Sequence, residues 1–371
     1  MNGYFTKDLS EKLTEAARVA VDDVLGVKNG ERLLIITNPE DDVLSVSRAL
    51  YSAAEKMEAK PVLCIQPMKS QLDFATDEVM SAIRSDPDIV LSISTEKLGK
   101  DPEAIKEPIK VGKNSYDHYF HYLLGEKKIR SFWSPSVTRD IFERCVPIDY
   151  VRLREECSDL KDLLDRGENV HITSPSGTDI NIGIKGREAR ADDGDFTEPG
   201  SGGNLPAGES FISPQLGSSE GKIVFDGSIA SDKGIIIIND PIECVVNGNL
   251  ITEINGGEEA SKLEDTIKRA KEATIKLVEE GKLEESKRDH YLTNTENLGE
   301  LGIGLNRSAT IVGNMLEDEK VYGTCHMAIG ANYDNDANAL IHLDGLVKSP
   351  TIEISSGSFS ETVMRDGELL L

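Results

Sequence analysis

Two of the six histidines in this 371-residue chain fall within residues 323–345, GTCHMAIGANYDNDANALIHLDG. His326 follows the small residues Gly323-Thr324-Cys325, and Asp344 stands two residues after His342. Residues i and i+2 of a strand project to the same face. A short apolar strand over 339–343 would therefore present His342 and Asp344 together at its end, and His326 would face them from a neighbouring strand. Two imidazoles and one carboxylate suit a borderline-soft divalent cation. Alone, His-x-Asp is a weak motif, and a lone histidine is more often a polar residue with its hydrogen bonds satisfied.

Two glutamates extend the set. Glu209 lies in GSGGNLPAGESFISP, residues 200–214, behind Pro206 and Gly208, which stiffen or bend the chain. Read by itself, this is a surface loop with a solvated carboxylate. Glu300 lies in NLGELGIG, residues 297–304, at the start of a strand of small residues. Glycine in a strand marks close backbone approach, so Glu300 is either a ligand or a strand-end charge. Together, Glu209, Glu300, His326, His342 and Asp344 give three carboxylates and two imidazoles, all in the second half of the chain. A single ion that keeps an open catalytic position would not use so many protein ligands. Two ions sharing a bridging carboxylate and a bridging water would.

The elements that must position these residues divide at about residue 150. In the first half, apolar positions recur at helical spacing over 9–26, and 32–37 reads as a buried strand. A helix from Asp41 and Asp42, strands over 60–65 and 88–93, a helix near 76–84, a strand over 128–132 and a short helix over 138–145 follow. This alternation predicts a Rossmann-like parallel sheet covered on both faces. The first strand–helix junction, residues 37–42, has neither G-x-G-x-x-G nor a Walker-type lysine, and its acidic residues would repel phosphate. The half reads as a scaffold, 1–150. A charged helix over 151–166 leads into a mixed α+β metal-binding domain, 151–371. Its short strands fall over 169–173, 179–184, 222–226, 235–238, 242–246 and 249–254, with a hairpin signal at Val246-Asn-Gly-Asn249. A long helix over 258–280 has a solvated Glu/Lys face.

The 66 acidic and 41 basic residues give a formal charge of −25. That charge disfavours nucleic acid and anionic membranes as partners and suits cations or substrates carrying an ammonium group. Five scattered cysteines with no C-x-x-C pair are read as reduced thiols in a cytoplasm. The N-terminal MNGYFTKDLSEKL has no apolar signal core, and no window of about 18 apolar residues is present.

NLPAGESFISP, NLGELGIGLN, GTCHMAIG and ALIHLDGLV, in this order, resemble the aminopeptidase T / aminopeptidase S family of dinuclear metallopeptidases. SPSVTRDIFERCVPIDY and SGTDINIGIKGR are similar to it as well. The resemblance implies a dimer with an N-terminal α/β domain and a C-terminal domain holding two divalent metals (zinc, cobalt or manganese). It implies that Glu209, Glu300, His326, His342 and Asp344 are ligands, and it places Tyr333, seven residues after His326, at a catalytic position. The segment between the two histidines is shorter than in better-known members, and HLDG replaces an HVD-type ending. The expected activity is removal of N-terminal residues from peptides with a free N-terminus. The metals would polarise the carbonyl and activate water, with Glu209 or Glu300 as proton carrier and Tyr333 on the oxyanion. The alternative is a mononuclear non-haem iron dioxygenase. Ring-cleaving dihydroxypyridine dioxygenases are similar to these peptidases, and His326, His342 and Asp344 make a two-His-one-carboxylate triad. A third reading is a degenerate relative that binds a metal or a peptide without turnover.

Overall fold

The computed structural model describes residues 9–70 and 73–371. It has the two-part α/β architecture expected, with one parallel sheet and several antiparallel ones. Two compact units are present: the described residues through Arg154 with Asp192–Ala207, and Glu155–Ala191 with Gly208–Leu371.

In the first unit the four predicted strands, joined by a fifth that was not predicted, form a five-stranded, wholly parallel sheet. They are β1 (Arg32–Thr37), β2 (Lys60–Ile65), β3 (Ile89–Ile93), β4 (Arg130–Trp133) and β5 (Gly202–Asn204), in the order β5-β4-β3-β1-β2. β3 is buried along its whole length and β1 from Leu33 onward, as helices on both faces require. Leu34, Ile36, Val90, Met80, Ile83 and Leu123 form one apolar cluster against this sheet. The return of the chain at Gly202–Asn204, which extends β4 at the sheet edge, carries no hydrophobic signal. The helix expected over 9–26 is an α-helix at Glu11–Val19, capped by the Ser10 hydroxyl, that widens to a π turn at Ala20–Val24. Between β3 and β4 the chain adds helices at Pro102–Lys106 and Tyr119–Gly125 and a small hairpin, Ile109–Val111 with Asn114–Tyr116.

The second unit holds a seven-stranded and an eight-stranded sheet. The hairpin Ile242–Asn247/Leu250–Asn255 forms as predicted, with Gly248 and Asn249 at φ of 57° and 70°. That is a primed turn, one residue later than the Asn-Gly pair suggests. Four antiparallel strands carry the candidate residues: β6 (Glu209–Ile212), β7 (Leu298–Gly304), β8 (Thr324–Gly330) and β9 (His342–Lys348). The strand predicted over 339–343 is displaced: it begins at His342. Ala339, Leu340 and Ile341 belong to the preceding loop, which Arg187 pins through Asp334 and Asp336, each at 2.9 Å. No helix among the described residues is long and apolar enough to cross a membrane.

Candidate metal centre

The register of the four strands gathers the candidate residues on one face. Glu209 pairs with Gly304 and Phe211 with Gly302. Gly302 pairs with His326, and Glu300 with Ala328. Ala328 pairs with Asp344, and Gly330 with His342. Directly paired residues share a face and alternate residues repeat it. Ionisable side chains therefore alternate with glycine or alanine on one side of the sheet. The small residues leave the volume that the ionisable ones fill.

Gly302 shows how tight this is. A Cβ there would lie 2.1 Å from Cε1 and Nε2 of His326, so only glycine admits the imidazole in its place. Gly208 does related work ahead of Glu209. Its φ is +134°, and a Cβ would meet the Asn306 backbone nitrogen at 3.0 Å. The stretch that, read by itself, would carry a solvated Glu209 delivers that residue as the first of β6, only 6% exposed.

The five side chains form a continuous chain of contacts. His326 Nε2 lies 3.5 Å from Glu209 Oε2 and 3.3 Å from Glu300 Oε1. His342 Nε2 lies 3.2 Å from Glu300 Oε2 and 3.2 Å from Asp344 Oδ1. Two donor sets result, Glu209–Glu300–His326 and Glu300–His342–Asp344, each with its ligand atoms within 4.8 Å of one another. Both include Glu300. His342 Nδ1 donates to the Ala331 carbonyl at 2.8 Å, which turns the Nε2 lone pair towards the carboxylates. Glu209 Oε2, Glu300 Oε2 and Asp344 Oδ1 are buried, and their close contacts with imidazole nitrogens lack hydrogen-bond alignment. Buried polar atoms are normally satisfied. Lone pairs that converge in a buried pocket without such bonds fit a bound cation, and the mixture of imidazole and carboxylate fits iron, zinc or manganese.

The metal-free electrostatics have the same sense. Burial would lower the His326 imidazole, but Glu300, Glu209 and Asp344 hold it up at about 9. Burial likewise opposes protonation of His342, yet Asp344 and Glu300 hold it well above its ordinary value. Asp344, against its burial, is drawn down to about 2 by His342, His326 and Lys320. Glu300 is also lowered against its burial, by the two imidazoles. Glu209 differs. Burial pushes it up to about 8, against the pull of Lys320.

Lys320 is the residue that sequence reasoning missed. It is fully buried, with Nζ 2.6 Å from Glu209 Oε1 and 2.7 Å from Glu319 Oε1. In the sequence it sits in Glu317-Asp-Glu-Lys320, which looks like solvated surface. In fact Glu317 and Asp318 are buried too, and they accept backbone N–H bonds from Thr310, Val312 and Gly313 at 2.7–3.1 Å. Tyr333 lies at the rim, 45% exposed, its ring centroid 5.2 Å from that of His342 and 5.4 Å from that of Phe211. Its phenol is raised by burial of the hydroxyl and then by Glu300, Asp344, Glu319 and Glu209. A cavity of about 400 Å³ in the first unit, lined by Ser92, Ser94, His118 and Trp133 among others, includes none of these residues.

Comparison with known proteins gives three findings. A family model described as NicX, 2,5-dihydroxypyridine 5,6-dioxygenase, matches residues 136–277. The solved structure of a 2,5-dihydroxypyridine dioxygenase from Pseudomonas putida KT2440 is similar at TM-score 0.71 and 18% identity, over 98% of each chain. AmpT (aminopeptidase T) from Thermus thermophilus is similar at TM-score 0.64 and 15% identity, over 97% of this chain and 99% of that one. A search of curated protein sequences finds no match. The fold is shared with both structures. The aminopeptidase expectation is corrected: the family model that matches is that of a dihydroxypyridine dioxygenase, and the two similar structures, at 18% and 15% identity, show the fold alone. The hydrolase and protease readings fall with it.

Proposed function

We propose that the chain is a mononuclear non-haem iron dioxygenase that opens a dihydroxylated pyridine-type ring. The observation that carries this is the match of residues 136–277 to a dihydroxypyridine dioxygenase family model, in a chain that also buries a histidine–carboxylate donor cluster. The matched segment includes Glu209 but not Glu300, His326, His342 or Asp344, so the roles of those four rest on their chemistry and arrangement.

His342 and Asp344 would hold the ion, with the third ligand drawn from the adjoining Glu300 and His326. A ferrous ion bound there would supply the activation of dioxygen beside an electron-rich ring. The protein does the rest. The Ala331 carbonyl fixes the tautomer of His342. Gly302 keeps His326 turned towards Glu300. Tyr333 and Phe211 form an aromatic edge beside His342, suited to lie against a flat heterocycle. Lys320 holds Glu209 beside the cluster through a buried ion pair.

In this reading residues 1–150 are a scaffold, 151–371 are the catalytic part, and two chains pair as a homodimer, which light scattering reads. The function itself is tested by anaerobic loading with ferrous iron, then addition of 2,5-dihydroxypyridine in air-saturated buffer. Oxygen uptake equal to the loss of ring absorbance is the expected result. An iron-loaded protein that consumes no oxygen with any dihydroxypyridine isomer would rule the proposal out.

A further inference from the structure

The two donor sets share Glu300, and in a plain bimetallic centre each would hold an ion. They differ in what surrounds them. Glu209 belongs only to the first set, and its Oε1 is 2.6 Å from the ammonium of Lys320. That ammonium also lies 2.7 Å from Glu319 Oε1, and the lysine is fully buried. The other oxygen of Glu209, Oε2, is buried without a hydrogen-bond partner and faces His326 Nε2 at 3.5 Å.

From this we infer that Lys320 takes the place of a second cation, so that the cluster binds one divalent ion where its carboxylates and imidazoles alone would bind two. The inference rests on reading the cluster as a metal centre, the basis of the proposed function. The physical argument is charge balance. Carboxylates crowded in a buried pocket must be compensated. The Lys320 ammonium compensates Glu209 and Glu319 at hydrogen-bonding distance, at the Glu209 oxygen next to the one that faces His326. A dication introduced beside Glu209 would stand close to that ammonium, and like charges in a buried site repel by several times thermal energy. Lysine is a point charge on a flexible stem and cannot share its position with an ion. The second set keeps its full complement of Glu300, His342 and Asp344. Lys320 is thus a positioning residue that sets metal count rather than a ligand.

The test counts ions rather than turnover. Metal-free protein is dialysed against graded zinc or manganese, and bound metal per chain is measured on samples whose circular dichroism shows them folded. Wild type and Lys320→Arg are expected to bind one tight ion. Lys320→Met and Lys320→Gln are expected to bind a second, at least about tenfold more tightly than wild type takes any second ion, and to gain more thermal stability from metal than wild type does. Adding Glu209→Gln to Lys320→Met should return the count to one. Two tight ions in wild type would overturn the inference, as would a count of one in both neutral variants. Should neither neutral variant fold, Glu209→Gln alone decides: one ion retained supports the inference, and none retained overturns it. Because zinc and manganese counts do not depend on ring cleavage, failure of the dioxygenase reading would show in the oxygen assay and leave these counts standing.

Discussion

Strand β3, IVLSI, and strand β8, TCHMAIG, are each buried along their whole length, one in the parallel sheet of the first unit and the other in the antiparallel sheet of the second. Their contents are opposite. β3 fills both faces with aliphatic side chains and one serine. β8 sets Cys325, Met327 and Ile329 on one face and His326, Ala328 and Gly330 on the other. The neighbours β7 and β9 repeat that division, with Glu300, Gly302 and Gly304 on the one and His342 and Asp344 on the other. Burial therefore does not distinguish a scaffold from a site. What distinguishes them is whether a buried face is apolar or alternates ionisable with very small residues. The first arrangement stabilises the fold through burial of apolar surface. The second carries a desolvation cost that only a bound cation offsets in full.

The contrast breaks most sharply with one truncation in each sheet. His342→Ala removes a donor from the metal set, and iron content and ring cleavage should each fall by at least about 100-fold, more than the loss of an outer partner typically causes. Ile35→Ala, in the fully buried interior of β1, should cost about 2–5 kcal/mol of stability. Its folded fraction should keep full iron content. Denaturant melts and metal analysis on both proteins check this. An Ile35→Ala protein that is folded but iron-free would erase the distinction between the two sheets.

Gly302 sharpens the comparison at a single position. Gly302→Ala inserts a methyl where the His326 ring lies, so the ring must swing away from Glu300. Metal affinity should drop roughly 10–100-fold, the range typical of disturbed support around a ligand. Gly357→Ala is the control, because nothing lies within 4 Å of its added Cβ. Equal affinities in the two variants would mean that the glycine pattern of β7 has nothing to do with the centre.

The parallel sheet was legible because its strands are unbroken aliphatic runs separated by helical repeats, a pattern that survives without knowledge of partners. The antiparallel centre was legible in part. Glu300-x-Gly302-x-Gly304 and His342-x-Asp344 show the two-residue period directly. Glu209 was harder, since a glutamate behind Pro206 and Gly208 looks solvated until Asn306 and β7 close over it. Lys320 gave no signal, because its burial depends on Glu209, which is 111 residues away in sequence. The start of β9 was misread because Ala339, Leu340 and Ile341 are apolar, yet Leu340 is 37% exposed in a loop held by ion pairs to Arg187. The fold was identified through motif resemblance, but the choice of chemistry was not, because His326, His342 and Asp344 serve both a peptidase and a dioxygenase reading.

Protonation separates the two regions with opposite sign. His118 in the first unit accepts from the Phe120 amide through Nδ1 at 3.1 Å and donates from Nε2 to the Gly99 carbonyl at 3.1 Å, so it is neutral, and burial lowers its pKa. Its unfolded form takes up a proton near pH 6.5 and its folded form only lower. The contribution is therefore present above about pH 6.5 and lost on acidification through the folded value. In the metal-free centre His326 titrates at about 9 and Glu209 at about 8, both above their unfolded values. Their folded forms hold more protons, so stability falls as pH rises from about 4.5 to 9. Thermal melts of metal-free protein should show a maximum between these limbs. His118→Asn should flatten the acid limb and His326→Gln the alkaline one, while bound metal, whose charge beside Glu300 opposes the proton on His326, should weaken the alkaline limb in wild type. An alkaline limb unchanged by both metal and His326→Gln would show that the centre has no part in it.

The smallest effect is expected at Tyr333, where the centre meets solvent. The ring packs 5.2 Å from His342 and 5.4 Å from Phe211, and phenylalanine keeps both contacts. Burial, and after it the surrounding carboxylates, raise the phenol, so its hydroxyl stays protonated at neutral pH and does not serve as a base. Tyr333→Phe should change kcat/KM for ring cleavage by less than about tenfold, below the 100-fold or more that loss of an acid–base group brings. Tyr333→Ala should raise KM more than it lowers kcat, because it removes an aromatic edge from the mouth and leaves the ligands in place. Steady-state kinetics on the two variants at matched iron content separates ring from hydroxyl. A 100-fold or greater loss of kcat in Tyr333→Phe would move Tyr333 from the wall of the site into its proton chemistry.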